Sequence, residues 1–251
     1  MHLTLTPIAH IRTDFGTKFG VPRQSGVVDE LTARIVFEPE YRNPDALRGL
    51  ADFSHLWLLW HFSEVKQEGW SPTVRPPRLG GNARMGVFAT RSPYRPNPIG
   101  LSSVRILSVE LDTPKGPVIT VAGADLMDGT PIFDIKPYLA YTDSHPDAVG
   151  GFIEGLTDRS VRVECHEALL APLEEEVRTR LLAALAHDPR PTYQNDPTRV
   201  YGMDFAGYNV RFTVADGVLI GTDKGEWHIV NDRGFYVAGL FEPEPMSVAW
   251  P

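Results

Sequence analysis

The residues best placed to do chemistry lie in one stiff loop. Gly86 to Ser102 reads GVFATRSPYRPNPIGLS. Strand-like apolar residues, Gly86 to Ala89, run into Thr90-Arg91-Ser92, and Pro93, Pro96 and Pro98 then enclose Tyr94, Arg95 and Asn97. Each proline fixes its own φ and pushes the residue before it toward extended geometry. A loop stiffened in this way loses little entropy when it holds a ligand. The alternative for the same residues is a rigid connector between two strands.

The surrounding charge favours a binding loop. From Gly69 to Val109 there is no Asp, Glu or Lys, yet the window holds Arg75, Arg78, Arg84, Arg91, Arg95 and Arg105. The whole chain is acidic, at net charge −8, so this tract is a local electropositive feature. Guanidinium groups suit planar, bidentate contact with phosphate or carboxylate. Net acidity argues against nucleic-acid binding over the whole surface but allows a local basic site.

These residues need elements to hold them. The chain has 251 residues, 42% hydrophobic and 22% charged, as expected of a soluble globular protein of one large domain or two smaller ones. Pro7–Arg12 and Ala33–Phe37 read as strands, and Pro44–Leu50 as a short helix capped by Asn43. The run Phe53–Phe62, FSHLWLLWHF, reads as a strand buried on both faces. Trp70–Arg84 reads as a long Pro/Gly/Arg loop. Ser103–Asp112 alternates as a half-exposed strand and joins Pro117–Ala122 through a Lys115-Gly116 hairpin turn. Asp125–Pro131 is a polar turn around Asp128-Gly129, and the turn alone would account for Asp128. In the segment that follows, Asp134 and Lys136 point the same way. They could pair with each other or face a pocket.

The composition changes after about Glu154. Glu167–Leu185 is helical with a break at Pro172, and Tyr208–Val214, Val218–Gly221 and Phe235–Leu240 read as strands. Many short strands and few helices imply a mostly β fold, barrel or sandwich, with a small α+β C-terminal unit. The expected division is 1–154 and 155–251. The single cysteine, Cys165, excludes a disulfide framework and a cysteine-based zinc site. His55 and His61 share a strand face but lack companion ligands, so no metal is expected. No GxGxxG element, P-loop or GxSxG elbow is present. No signal peptide or bilayer-length apolar run is visible, which leads to an expected cytoplasmic location away from membranes.

Several of these segments together resemble the TsaA-like tRNA methyltransferases, the TrmO family. They are VPRQSG (21–26), FSHLW (53–57), GWSPTVRPPRLGGNARMGVFATRSPYRPNPIGLS (69–102), DLMDGTPIFDIKPYL (125–139) and DPRPTYQ (188–194). The resemblance implies a β-barrel-like, non-Rossmann methyltransferase and a homodimer with cofactor sites at or near the subunit interface. The implied activity is transfer of methyl from S-adenosylmethionine to N6 of threonylcarbamoyladenosine at position 37 in the tRNA anticodon loop. It implies cofactor contacts from Pro22, Arg23 and Gln24, from the pair after the FSHLW strand, from Arg91 and Leu101, and from Asp125, Leu126, Met127 and Asp128. The pair is commonly His-Gln in the family and is Ser63-Glu64 here.

With that reading, Arg91 or Arg23 would pair with the cofactor carboxylate, and Asp125 or Asp128 would accept from its hydroxyl or amino groups. The acceptor nitrogen is urea-like and poor as a nucleophile, so a proton acceptor is expected. Asp134 is the first candidate and Tyr94 the second. Arg75, Arg78, Arg84 and Arg95 would contact anticodon-loop phosphates, and Tyr94 or Trp70 could stack on an unpaired base. Two other functions fit the same residues. One is a non-catalytic barrel that binds RNA or a nucleotide; the other is a methyltransferase for a different acceptor.

Overall fold

The computed structural model describes residues 4–66, 69–80, 82–155, 160–191, 194, 196–221, 229–231 and 234–236, with Arg78 and the last two segments described by backbone alone. The expected Phe235–Leu240 strand therefore lies partly outside the described residues, as do Thr192 and Tyr193 of DPRPTYQ.

The chain is mostly β. Its first strands are β1 (Ala9–Arg12), β2 (Thr32–Phe37), β3 (His55–His61), β4 (Thr73–Val74), β5 (Met85–Gly86), β6 (Ile99–Glu110), β7 (Val118–Ala122) and β8 (Pro131–Pro137). Six of them close an antiparallel barrel in the order β1-β2-β7-β6-β3-β8. Alternation drives the closure, because every second side chain faces the interior. Ala9, Ile11, Ile35, Leu56, Leu58, Ile119, Val121 and Ile132 are fully buried there. Burying each large aliphatic side chain contributes about 1.5–3 kcal/mol. Register shifts at Leu59/Trp60 against β8 and at Ile106/Ser108 against β7 bend the strands into the closed sheet.

Four expectations need correction. β3 is buried on one face only: Leu56, Leu58 and Trp60 point inward, whereas His55, Trp57, Leu59 and His61 are half-buried on the outside. The strand-like stretch Gly86–Ala89 is a strand only at Gly86. Val87–Ala89 makes a turn of 3-10 helix, in which Thr90 returns its N–H to the Val87 carbonyl. The loop Trp70–Arg84 contains β4, which pairs with β5 as a small separate hairpin, and a 3-10 turn at Pro77–Leu79. Asn43 does cap Pro44–Leu47 through the Asp45 N–H, but that helix is also 3-10.

After α1 (Ala140–Asp143) the chain builds a second sheet. Its elements are β9 (Arg162–Glu164), α2 (Glu167–Leu170), α3 (Glu175–Ala186), β10 (Tyr201–Phe205), β11 (Tyr208–Ala215), β12 (Val218–Gly221), β13 (Ile229–Asn231) and β14 (Gly234–Tyr236). The order is β14-β13-β11-β12-β9, with β10 also on β11. Pro172 separates α2 from α3 as expected. This sheet and α3 share their core with Phe15, Val28 and Leu31 from the N-terminal part of the chain. Cys165 is packed into that core, and burial pushes its thiol up to about 11. It is therefore neutral and inert at neutral pH.

The segment between β1 and β2 ties the two sheets together. Asp14 accepts from Arg180 of α3, Nε to Oδ2 at 2.6 Å, and its carbonyl accepts from the Ala206 N–H at 2.6 Å. No helix among the described residues is long and apolar enough to cross a membrane.

Candidate active site

Three turns meet where β3 ends and β6 begins. The 21–26 loop approaches the 123–128 turn through a pair of glycines. The Gly26 N–H donates to the Gly123 carbonyl at 2.8 Å, and a Cβ on Gly123, at φ 76°, would stand 3.1 Å from the Gly26 backbone. The Ser103 N–H of β6 donates to Ser25 Oγ at 3.1 Å. These contacts hold the turns against the barrel end before any ligand arrives.

The third turn, Thr90–Pro98, is braced internally. Thr90 Oγ1 donates to the Val87 carbonyl at 2.9 Å, and the Ser92 N–H donates back to Thr90 Oγ1 at 3.3 Å. The Tyr94 N–H donates to Ser92 Oγ at 3.2 Å. Such hydroxyl-to-backbone bonds brace a loop whose prolines have no N–H to donate. Arg95 Nη1 donates to the Thr90 and Ser92 carbonyls at 3.1 and 3.4 Å. Arg95 is thus engaged in holding its own loop.

The turns enclose a cavity of about 770 Å³. Pro22, Arg23, Gln24, Ser63, Glu64, Arg91, Tyr94, Arg95, Leu101, Asp125, Leu126 and Met127 all line it. Arg91 donates to Gln24 Oε1, and Gln24 Nε2 donates to the Arg23 carbonyl. Arg23 Nη2 donates to the Arg190 carbonyl at 2.8 Å. Below them, Trp60 Nε1–H donates to Ser102 Oγ at 2.9 Å, and the Ser102 hydroxyl donates to Asp125 Oδ1 at 2.6 Å. Burial holds the Asp125 carboxyl above the usual carboxylate range, while the Ser102 bond and the charge of Arg91 act in the opposite direction.

Other expected residues stand elsewhere. Asp128 lies outside the cavity lining: its carboxylate accepts from the Thr13 N–H at 3.0 Å and from Arg12 Nη1 at 3.3 Å. It fastens the Gly129 turn to β1. Asp134 is on the outer face of β8, opposite Leu59 and paired with Lys136 at 2.8 Å, and does not line the cavity. Arg75 and Arg84 are exposed on the β4–β5 hairpin, and the Arg78 side chain lies outside the described residues. Among the described residues, no group of three or more His, Cys, Asp or Glu could hold a metal ion.

Sequence reasoning missed Trp57, Trp60, His61 and Phe62 as wall residues. Their aromatic density suggested only core. Gly100 gave a usable signal. A Cβ there would stand 2.2 Å from the Trp60 ring, so the glycine of the PIGLS segment is what lets the indole lie flat at the cavity floor. Gly100→Ala is expected to cost about 1–3 kcal/mol by overpacking, read as a lowered midpoint in thermal unfolding.

This geometry can be set beside known proteins. Residues 10–144 match the family model described as tRNA-methyltransferase O N-terminal domain. The chain belongs to the TrmO family. Residues 159–222 match the TrmO C-terminal domain. The chain is similar to the tRNA (adenine(37)-N6)-methyltransferase of Escherichia coli (strain K12), 43% identical over 218 residues, covering 83% of this chain and 92% of the relative. The protein of the same name from Eikenella corrodens is 45% identical over 168 residues, covering 67% of this chain and 94% of the relative. The crystal structure of TrmO from Pseudomonas aeruginosa superposes with a TM-score of 0.71 at 31% identity, covering 89% of this chain and 98% of that one. The closed barrel is thus the TrmO fold, and the cavity sits among the residues of the TrmO-like motifs.

Proposed function

We propose that this TrmO-family chain is an S-adenosylmethionine-dependent methyltransferase acting on N6 of adenine 37 in the tRNA anticodon loop, with threonylcarbamoyladenosine as the acceptor. The observation that carries the reading is the convergence of three stiffened turns on one cavity, with an exposed guanidinium, Arg91, above a half-buried carboxylate, Asp125. The cavity's volume is within the range of cofactor sites. Its donor set also suits the cofactor. Arg91, steadied by Gln24, would hold a carboxylate. Asp125, fixed by Ser102 and Trp60, would accept from hydroxyl or amino groups, and Trp60, Phe62 and Tyr94 offer rings to a nucleoside.

When bound, S-adenosylmethionine supplies an electrophilic methyl group. The chain's own residues position and exclude. Displacement at a methyl carbon needs near-linear approach, so a wall braced by prolines and hydroxyl bonds supplies much of the rate through orientation. The acceptor nitrogen gives up a proton; Asp134 does not line the cavity, whereas Tyr94 does, and its hydroxyl would accept a hydrogen bond from that N–H while solvent takes the proton. Ile99 and Leu101, 39% and 57% exposed on the outer face of β6, also line the cavity, and a second copy covering them would make the homodimer. The reading places the protein in the cytoplasm with its tRNA substrate.

Isothermal titration with S-adenosylmethionine tests the reading. Micromolar binding is expected, weakened about tenfold in Arg91→Ala by loss of a charged hydrogen bond. Transfer of labelled methyl should then require tRNA bearing the threonylcarbamoyl group. Absence of cofactor binding by folded protein would leave a non-catalytic RNA-binding barrel, and transfer to tRNA lacking that group would indicate another acceptor.

A further inference from the structure

The β4–β5 hairpin is not accounted for by the cofactor cavity. It stands apart from the barrel sheet, and its strands pair only Thr73 with Gly86 and Val74 with Met85. The Val87 N–H donates to the Pro72 carbonyl at 2.9 Å and extends this pairing by one step. The result brings Trp70 and Phe88 together, with ring centroids 6.2 Å apart and planes inclined by 32°. Both rings face solvent: Trp70 is 53% exposed and Phe88 71%. Two large rings kept adjacent in water contribute little to a core and form an apolar shelf.

The other end of the hairpin carries charge. Arg75 and Arg84 each lie one residue beyond the Val74–Met85 pair, and both are exposed. Like charges placed across neighbouring strands repel, and no Asp or Glu occurs between Gly69 and Val109 to offset them. Rings at one end of the hairpin and cations at the other match the requirements of unpaired nucleic acid, in which bases stack on aromatic faces and phosphates meet guanidinium groups. The shelf is also close in sequence to the site, because Thr90 and Arg91, just past Phe88, line the cavity.

We infer that the β4–β5 hairpin is a nucleobase platform: Trp70 and Phe88 stack unpaired bases next to the one being methylated, while Arg75 and Arg84 hold the adjoining phosphates. This inference rests on the methyltransferase reading above and specifies how its RNA is held.

The test uses the full chain and a fluorescently labelled anticodon stem-loop RNA, with binding measured by anisotropy over a range of salt concentrations. Phe88→Ala and Trp70→Ala should each weaken binding by about tenfold and leave the salt slope unchanged, since neither residue carries charge. Arg75→Ala and Arg84→Ala should each weaken binding and reduce the salt slope by about one. Phe88→Tyr, which keeps a ring, should bind as the parent does. S-adenosylmethionine affinity and the sedimentation mass should be those of the parent throughout. Parental RNA affinity in both aromatic variants would overturn the platform while leaving the methyltransferase reading intact. A changed mass would do the same, by assigning the rings to a contact between copies. If the parent protein itself neither bound this RNA nor methylated tRNA, the reading and the platform would fall together.

Discussion

Arg190→Ala is expected to destabilise the protein by about 3–5 kcal/mol. Asp188 and Arg190 form a bidentate pair, Nε to Oδ1 at 2.7 Å and Nη2 to Oδ2 at 2.8 Å. Their side chains are only 3% and 10% exposed. The hydrogen bonds that Arg190 donates to Asp188 raise the Arg190 pKa, so the arginine stays charged throughout the accessible range. Without the guanidinium, the one hydrogen bond left to the Asp188 carboxylate among the described residues is that from the Arg190 N–H, at 3.3 Å. A buried charge left with so little compensation is among the few causes of large single-site losses. Urea unfolding followed by circular dichroism measures the loss, and a change below about 1 kcal/mol would mean that water reaches the pair. Asp188→Asn should cost less. Asparagine tolerates the positive φ of 44° at this position and still offers an acceptor to Arg190.

The same pair links stability to the site. The main-chain carbonyl of Arg190 accepts from Arg23, which lines the cavity, so the C-terminal loop helps to set a side chain of the barrel's ligand site. Phe15, Val28 and Leu31 lie in the C-terminal core, and the Asp14–Arg180 ion pair adds a second fastening. The barrel strands end at Pro137 and those of the second sheet begin at Arg162, but the packing of the two sheets crosses that gap. Loosening the 188–191 loop is therefore felt at the cavity wall.

Legibility in the sequence followed the range of the interactions. The part of β6 from Ser103 onward was readable from alternation, the hairpin at Gly116 from its dipeptide, and the helix break from Pro172, because each is decided within a few residues. The proline-braced turn was readable for the same reason, and so was the alternative for Asp128 as a turn residue. The outer face of β3 was misread because Trp57 and Leu59 are as apolar as the inward residues, and composition cannot tell a cavity wall from a core. Gly86–Ala89 looked like a strand, but the hydroxyl of Thr90 and the Val87 carbonyl close a turn first. The Arg23–Arg190 contact joins residues 167 positions apart, and no local pattern announces it. Asp134 and Lys136 do share a face and pair, as alternation required. Which way that face looked depended on the closure of the barrel.

Asp125→Asn is expected to separate binding from folding. The substitution should weaken S-adenosylmethionine binding by about 10- to 100-fold, the range for a hydrogen bond to a charged group, in the same titration used for Arg91→Ala. The ligand-free protein should respond in the opposite sense. Burial raises the Asp125 pKa above its ordinary value, against the lowering effects of Ser102, its own backbone amide, Arg91 and the Ser25 backbone. Between the ordinary and the raised value, the folded chain holds a proton that the unfolded chain has released. Stability therefore falls as pH rises through that window, and the loss persists above it. Asparagine has no proton to release, so thermal midpoints of Asp125→Asn should decline less between acid and neutral pH than those of the parent and should stand at or above them at neutral pH. It also keeps an acceptor for Ser102 and, through it, the Trp60 indole, so the cavity floor is preserved. Parental cofactor affinity would remove Asp125 from the site. A parental pH slope would assign the titration to another group. Weaker binding together with a flatter slope would show that the charge costs the empty protein stability and is useful only when a ligand meets it.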